Sequence, residues 1–431
     1  MIDGFTTAER FAKRLDDEDP LSSRRDLFHI PVRPDGAPAV YLCGNSLGLQ
    51  PRSARALVEE EMEAWAALAV DGHFKANAPW VSYHELLREA GARLVGAGPG
   101  EVAMMNGLTV NLHLMMATFY RPERGRHVVL IEEGAFPSDR YAVVSQIRHH
   151  GHDPATSLLL VGPAPGEATI RTEAIEEILQ ARGSEIALVL LPGVQYLTGQ
   201  VFDLERIAGA ARRHGCRIGV DLAHAAGNVI LNLHDWEIDF AVWCTYKYLN
   251  GGPGGIGGCF VHERHARDFS LPRLSGWWGN DPDTRFEMRR EFTPQSGAAG
   301  WQLGNPPILA MAPLRASLAI FDEVGMPALR VKSLRLTGYL EDLIDALPAK
   351  GVETITPRAT AERGCQLSLR VGGKPRDLQT ALAREGIVCD VRGPDVIRVA
   401  PVPLYNTYHE VWRFAQTLGR VTGSGSRGSG R

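Results

Sequence analysis

Two short stretches carry residue types that do chemistry together. GVDLAH closes a near-continuous apolar run and delivers Asp221 and His224. WCTYKYLNGGPGGIGG delivers Tyr246 and Lys247 after a second apolar run and ahead of a glycine cluster. In an open α/β sheet, ligands bind beyond the carboxyl ends of strands, so both stretches stand where a site is built. A lysine forms a Schiff base with an aldehyde, and a carboxylate keeps a pyridine nitrogen protonated. An acid at one strand end and a lysine 26 residues on, at another, therefore suit pyridoxal 5'-phosphate. Its protonated ring accepts electrons from a carbanion, and the glycines after Lys247 let backbone approach the ligand closely. Plainer alternatives stand beside this one. A loop lysine is usually a solvated cation, and an aspartate at a strand-to-helix junction is often a helix cap.

The elements that must position these residues alternate from about residue 100 onward. HVVLIEE (127–133) precedes the helix-like SDRYAVVSQIRHHG, and IALVLLPG (186–193) and CRIGVDLAH (216–224) are apolar enough for strands covered on both faces. Between the last two, Asp203 opens a helix with basic residues in its last turn and Gly215 past its end. FAVWCTYKYL (240–249) and CFVHE (259–263) add two strands. Strands separated by helices of this length predict a mainly parallel sheet, hence α/β. Earlier in the chain, Ser53 is placed to cap a helix whose apolar face is Val58, Met62, Trp65 and Ala69. After Asn305 a long Leu/Ala-rich helix leads to QLSLRV (366–371), DLQTALAREG and VIRVAPV (396–402), the pattern of a small α+β domain.

The 431 residues suggest two domains, and 50 acidic against 46 basic side chains argue against a nucleic-acid surface. No apolar run approaches the roughly 18 residues that span a membrane. Six scattered cysteines, with no C-x-x-C pair, read as reduced thiols. The charged opening MIDGFTTAERFAKRLDDEDP lacks an apolar signal core, so a cytoplasmic protein is expected. Glycine is the outlier, with 46 copies, well above the usual share of about 7%. RHHGHD (148–153) invites a metal reading, but it follows a helix whose end cations complement, and no acidic or cysteine set accompanies it. No metal site is expected there.

Eight segments together resemble the kynureninases, fold-type-I pyridoxal-phosphate enzymes related to class-V aminotransferases. They are YLCGNSLGLQP (41–51), NGLTVNLHLMM (106–116), AFPSDRYAV (135–143), VDLAHAAGNV (220–229), WCTYKYLNGGPGG (243–255), SGWWG (275–279), NPPIL (305–309) and IRVAPVPLYN (397–406). The resemblance implies an aspartate-aminotransferase-like fold, with a mainly parallel sheet in the large domain and a smaller α+β C-terminal domain. The expected division is an N-terminal segment (1–52) packing on the small domain and active site, a large cofactor domain (53–310), a small domain (311–422) and a flexible tail (423–431).

The same resemblance implies roles. Lys247 is the Schiff-base lysine and shuttles the Cα proton, and Asp221 pairs with the ring nitrogen. Phe136 stacks on the ring, and Leu108 and Thr109 hold the phosphate at a helix start. Pro137, Ser138, Asp139 and His224 complete the cofactor contacts. Tyr246 binds phosphate and transfers a proton. Trp277 and Asn305 reach the neighbouring subunit's site, which implies a homodimer. Arg398 grips the substrate α-carboxylate, and Asn45, Ser46, His73 and Asn305 belong to the substrate pocket. The implied reaction is hydrolysis of L-kynurenine, or of its 3-hydroxy form, to the anthranilate and L-alanine. Core positions for Phe136 and Trp277, and a solvent-facing strand position for Arg398, are the structural alternatives. One departure from some relatives is Pro192, where they carry a serine. A cysteine desulfurase-like lyase is the competing enzyme and would need a nucleophilic cysteine on a mobile loop. A catalytically silent pyridoxal-phosphate or kynurenine-binding protein is the non-enzyme alternative, which retention of Lys247, Asp221, Tyr246 and Arg398 together speaks against.

Overall fold

The computed structural model describes residues 4–346 and 351–424, and these form two compact units. The first unit takes residues 1–52, 195–201 and 324–431, and the second takes 53–194 and 202–323. Thirteen strands are present among the described residues. β1 is Val40–Tyr41, β2 Val102–Met105, β3 Val128–Glu132, β4 Leu158–Val161, β5 Ile186–Pro192 and β6 Arg217–Asp221. β7 is Phe240–Cys244, β8 Gly257–Val261, β9 Val352–Thr354 and β10 Leu367–Val371. β11 is Ile387–Val388, β12 Asp390–Arg392 and β13 Val396–Val399.

In the second unit a seven-stranded sheet has the order β2-β8-β7-β6-β5-β3-β4. β8 runs antiparallel to both its neighbours, and the remaining pairs are parallel. Every residue of β2, β3, β7 and β8 is buried, which is why their sequences lack the alternation of a half-exposed strand. The core of this unit packs Leu112, Met115 and Phe119 of one helix against Val129, Ile131 and Val242 of the sheet. The helix Leu204–Arg213 starts as its sequence predicts: Asp203 accepts from the Arg206 amide at 3.2 Å, and Gly215 takes φ +70° beyond the end.

The helix after Ser53 departs from expectation. It spans Ala54–Leu68, but the Ser53 side chain makes no capping bond, and Met62 and Trp65 are 46% and 58% exposed. The apolar stripe was legible, but Met62, Trp65 and Ala69 on it are exposed and only Val58 is half-buried.

In the first unit, β12-β13-β10-β9 form an antiparallel sheet and β1 pairs in parallel with β11. The N-terminal helix Glu9–Asp17 buries Phe11 and Leu15 among Leu336, Tyr339 and Phe414. Asp16 accepts from the amides of Tyr408 and His409 at the start of the helix Tyr408–Ser424, although burial outweighs these bonds and pushes its carboxyl up. Of the tail expected over 423–431, residues 425–431 lie outside the described residues.

Candidate active site

β6 ends on Asp221, and β7 ends on Cys244, three residues before Lys247. The two strands are adjacent, with Asp221 opposite Val242, so the acid and the lysine leave neighbouring strand ends. Asp221 is buried and accepts from the Ala223 amide at 2.7 Å. The turn carrying Lys247 is fixed from behind: the Gly251 amide donates to the Thr245 carbonyl, and the Thr245 hydroxyl donates to that of Ile256 at 2.6 Å.

The glycines that follow serve a different purpose from the one their position suggests. A Cβ on Gly258 would stand 2.0 Å from the Trp243 ring, and one on Gly257 would stand 2.8 Å from the Trp243 carbonyl. A Cβ on Gly251 would meet the Thr245 hydroxyl. These residues let protein pack on protein behind the lysine.

Two helix starts converge on the same region. Leu108–Phe119 begins after Gly107, and Pro137–His149 begins after Phe136 with Pro137 at its first position. The hydroxyls of Thr109 and Ser138 lie 2.8 Å apart and tie the two starts together. Lys247 Nζ stands 6.0 Å from the Phe136 ring centre and 5.8 Å from that of Tyr246. Phe136 is 45% exposed, so the core alternative fails for it.

Asp139, in the first turn of the second helix, is buried and bonded to Asp221. Burial, then the negative charge of Asp221, pushes its carboxyl well above the usual range, against the pull of Lys247. Its Oδ1 is buried without a hydrogen-bond partner. Burial, reinforced by Cys244, raises the Tyr246 phenol, which therefore holds its proton at neutral pH. His224 is buried edge-on to Tyr248, and its carbonyl accepts from Asn228.

These features fit pyridoxal phosphate. Two buried acids side by side call for a cation, which a protonated pyridine nitrogen supplies. An exposed aromatic face near the lysine suits a ring, and two helix N-termini bearing hydroxyls suit a phosphate. The large unit thus brings together Leu108, Thr109, Phe136, Pro137, Ser138, Asp139, Asp221, Tyr246 and Lys247. His73, Trp277 and Asn305 lie on other segments of it. His73 packs edge-on against Trp80, and Trp277, 41% exposed, packs against Trp278 and Phe286. Asn305 is exposed.

In the small unit Arg398 is 1% exposed, so the solvent-facing alternative fails. Asn45 is fully buried and donates to Gln366 Oε1 at 2.9 Å, and Ser46 is half-buried in the turn after Cys43. Sequence reasoning missed Asp390, which pairs with Arg398, and Gln366, which reaches Asn45. The signal for Asp390 was present: CDVRGPDVIRV reads as a tight hairpin that sets it opposite Arg398.

RHHGHD gathers no metal-ligand set among the described residues, and His149 closes its helix. The residues that do converge are Glu101, His234 and His262. Glu101 there accepts from the Gly98 and Glu263 amides and from His234, and His262 Nδ1 accepts from the Arg264 amide. Their lone pairs are engaged in tying a turn to a loop.

Among curated proteins, the kynureninase of Koribacter versatilis is 57% identical over 412 residues, 96% of this chain and 97% of that protein. The kynureninase of Myxococcus xanthus is also 57% identical, over 96% of this chain and 97% of its own length. That of Salinispora tropica is 54% identical over 95% and 96%. The chain belongs to the kynureninase family. The family model described as the kynureninase C-terminal domain matches residues 329–418. Solved structures of the same fold include the Escherichia coli cysteine desulfurase CsdA, with a TM-score of 0.75 at 20% identity, covering 94% of this chain and 98% of that one. Another is a variant of the cystine lyase C-DES with glycine covalently linked to its pyridoxal phosphate, with a TM-score of 0.74 at 19% identity, covering 91% and 98%. At such identities these two speak for the fold, which is fold type I. All six cysteines of this kynureninase-family chain are buried, unlike the exposed nucleophile a desulfurase needs.

Proposed function

We infer that this protein is a pyridoxal-phosphate-dependent hydrolase that cleaves the Cβ–Cγ bond of L-kynurenine, releasing anthranilate and L-alanine. The observation that carries this is 57% identity to a kynureninase along 96% of the chain. The residues around Lys247 support it independently, since each has a task in that reaction. When bound, pyridoxal phosphate supplies an electron sink for negative charge at the substrate's Cα and Cβ. Thr109 and Ser138 would hold its phosphate, Phe136 would cover its ring, and Asp221, backed by Asp139, would keep its nitrogen protonated. Lys247 would take the proton from the substrate's Cα. Water adds to the γ-carbonyl, the Cβ–Cγ bond breaks, and its electrons stay on Cβ. Tyr246, whose raised phenol is fully protonated, gives Cβ its proton. Arg398 holds the α-carboxylate, Asn45 and Ser46 belong to the substrate pocket, and His73, Gly304 and Asn305 serve the aryl group, where polar groups also accept a 3-hydroxyl.

The protein acts as a cytoplasmic homodimer in tryptophan breakdown, with Trp277 and Asn305 serving the partner's site. Among the described residues no helix is long and apolar enough to cross a membrane. Kynurenine added to the yellow holoenzyme is expected to produce anthranilate fluorescence. A yellow protein that yields none sinks the proposal. Comparing kcat/KM for kynurenine and 3-hydroxykynurenine decides between the two substrates.

A further inference from the structure

We propose that Asp390 is a positioning residue that aims Arg398 at the substrate carboxylate; this rests on the role given to Arg398 above. β12, β13 and β10 are neighbours, and Asp390, Arg398 and Ser368 form one cross-strand row through them. Arg398 is 1% exposed, and a cation so stripped of water needs a counter-charge. Asp390 supplies it side-on: Arg398 Nε donates to Oδ1 at 2.7 Å, and Nη2 donates to Oδ2. From another direction Nη1 donates to the main-chain carbonyl of Tyr196 at 2.7 Å.

A guanidinium has five N–H donors in a rigid plane. Asp390 and Tyr196 hold three of them, which leaves one on each Nη. Because Asp390 occupies the Nε side, the donor left on Nη2 points away from Nε, along the end of the fork. That donor is the one offered to an amino acid's carboxylate, through a charge-assisted bond. The Tyr196 carbonyl is itself held, since Gln366 Nε2 donates to it at 3.1 Å and to Ser368 Oγ at 2.9 Å. Gln366 Oε1 in turn accepts from Asn45, so the clamp and the GNSLG turn share one polar network.

A competing role for Asp390 is neutralising a buried cation without aiming it. That role weakens the fold and every ligand alike, whereas aiming affects only ligands that carry the α-carboxylate. The holoenzyme is therefore assayed with two inhibitors: L-alanine, which carries the amino-acid carboxylate, and 2-aminoacetophenone, the aryl ketone half of the substrate without it. Asp390→Asn is expected to raise the inhibition constant of L-alanine about tenfold, the value of one charge-assisted hydrogen bond, and to leave that of 2-aminoacetophenone unchanged. Asp390→Glu moves the carboxylate by one methylene and is expected to give the same selective rise, which serves if the asparagine variant does not fold. Arg398→Gln is the control and should raise the L-alanine constant further than either. If Arg398→Gln leaves L-alanine binding untouched, the carboxylate role of Arg398 itself fails. If that control weakens L-alanine while both Asp390 variants keep the wild-type ratio of the two constants, Asp390 does not aim the clamp and the proposed function stands.

Discussion

Asp139 and Asp221 face each other in a space that cannot comfortably hold two negative charges, so the pair favours keeping one proton on Asp139. That proton lets Asp139 donate to Asp221 and leaves Asp221 as the anion for the ring nitrogen. The two acids are therefore unequal. Asp139→Asn keeps a donor and is expected to lower kcat/KM about tenfold, while Asp221→Asn removes the anion and should lower it a hundredfold or more. Steady-state rates decide this, and equal losses would show that the proton is not placed as argued. Tyr246→Phe deletes the proton donor to Cβ without emptying its space, and about a hundredfold loss of kcat with unchanged cofactor absorbance is expected. Much of this scale was legible in the sequence. Lys247, Asp221 and Phe136 follow apolar strands or precede a helix, and such local signals survive folding. The hairpin that carries Asp390 had a sequence signal, but its pairing with Arg398 was missed, because a charge pair across a hairpin depends on register, which one residue of slip reverses.

β3, β5, β6, β7 and β8 were legible because a buried strand announces itself as an unbroken apolar run, whereas the short β2 and β4 at the two edges of the same sheet were not read. The glycine cluster after Lys247 shows what such reading misses. Its position suggested room for a ligand, but the contacts of Gly258 and Gly257 are with Trp243, one strand away. Gly258→Ala should cost about 2–3 kcal/mol or more by overpacking a fully buried indole. Gly254→Ala meets open space and pays only for φ +68°, about 1 kcal/mol. Urea unfolding of the two variants tests the order, and a larger loss at Gly254 would refute it. The turn between β6 and β7 holds a second element-scale device. Asp239 is buried, which alone raises its carboxyl. Bonds from His265, Arg264 and the Ile218 amide outweigh that and hold it at about 2. A depressed carboxyl stabilises the fold above its unfolded value of about 3.9 and loses that contribution as pH falls toward the folded value. Between those values about 2–3 kcal/mol should disappear. Asp239→Asn is expected to be less stable at pH 7 and to show a shallower loss across that window; a parallel acid limb in the two proteins would remove Asp239 from the account.

Each unit of the molecule has its own core. In the small unit the described part of the N-terminal segment is anchored by polar pairs as well as packing. Lys332 meets Asp19 at 2.7 Å where both are buried, and Arg25 meets Glu410 at 2.7 Å. The large unit carries a set of exposed apolar side chains. Phe74 lies 6.2 Å from Phe286, and Phe286 lies 5.6 Å from Trp277, so two distant segments build one aromatic patch. Phe74, Phe286 and Met288 are 61%, 53% and 70% exposed, and exposed apolar side chains gathered in this way mark a surface that a partner can cover. A second copy of the chain is the occupant we propose, since Trp277 belongs to the same patch and is assigned to the partner's site. A twofold dimer uses each residue twice. Replacing one buried aromatic at the centre costs about 2–3 kcal/mol, hence about 4–6 kcal/mol per dimer and a dissociation constant weakened by a thousandfold or more. Phe286→Glu should therefore sediment as a monomer at micromolar concentration where the unmodified protein sediments as a dimer. Its activity should recover as concentration rises, because mass action restores the partner's Trp277 and Asn305. A monomeric unmodified protein with full activity would contradict both the dimer and the roles given to those two residues.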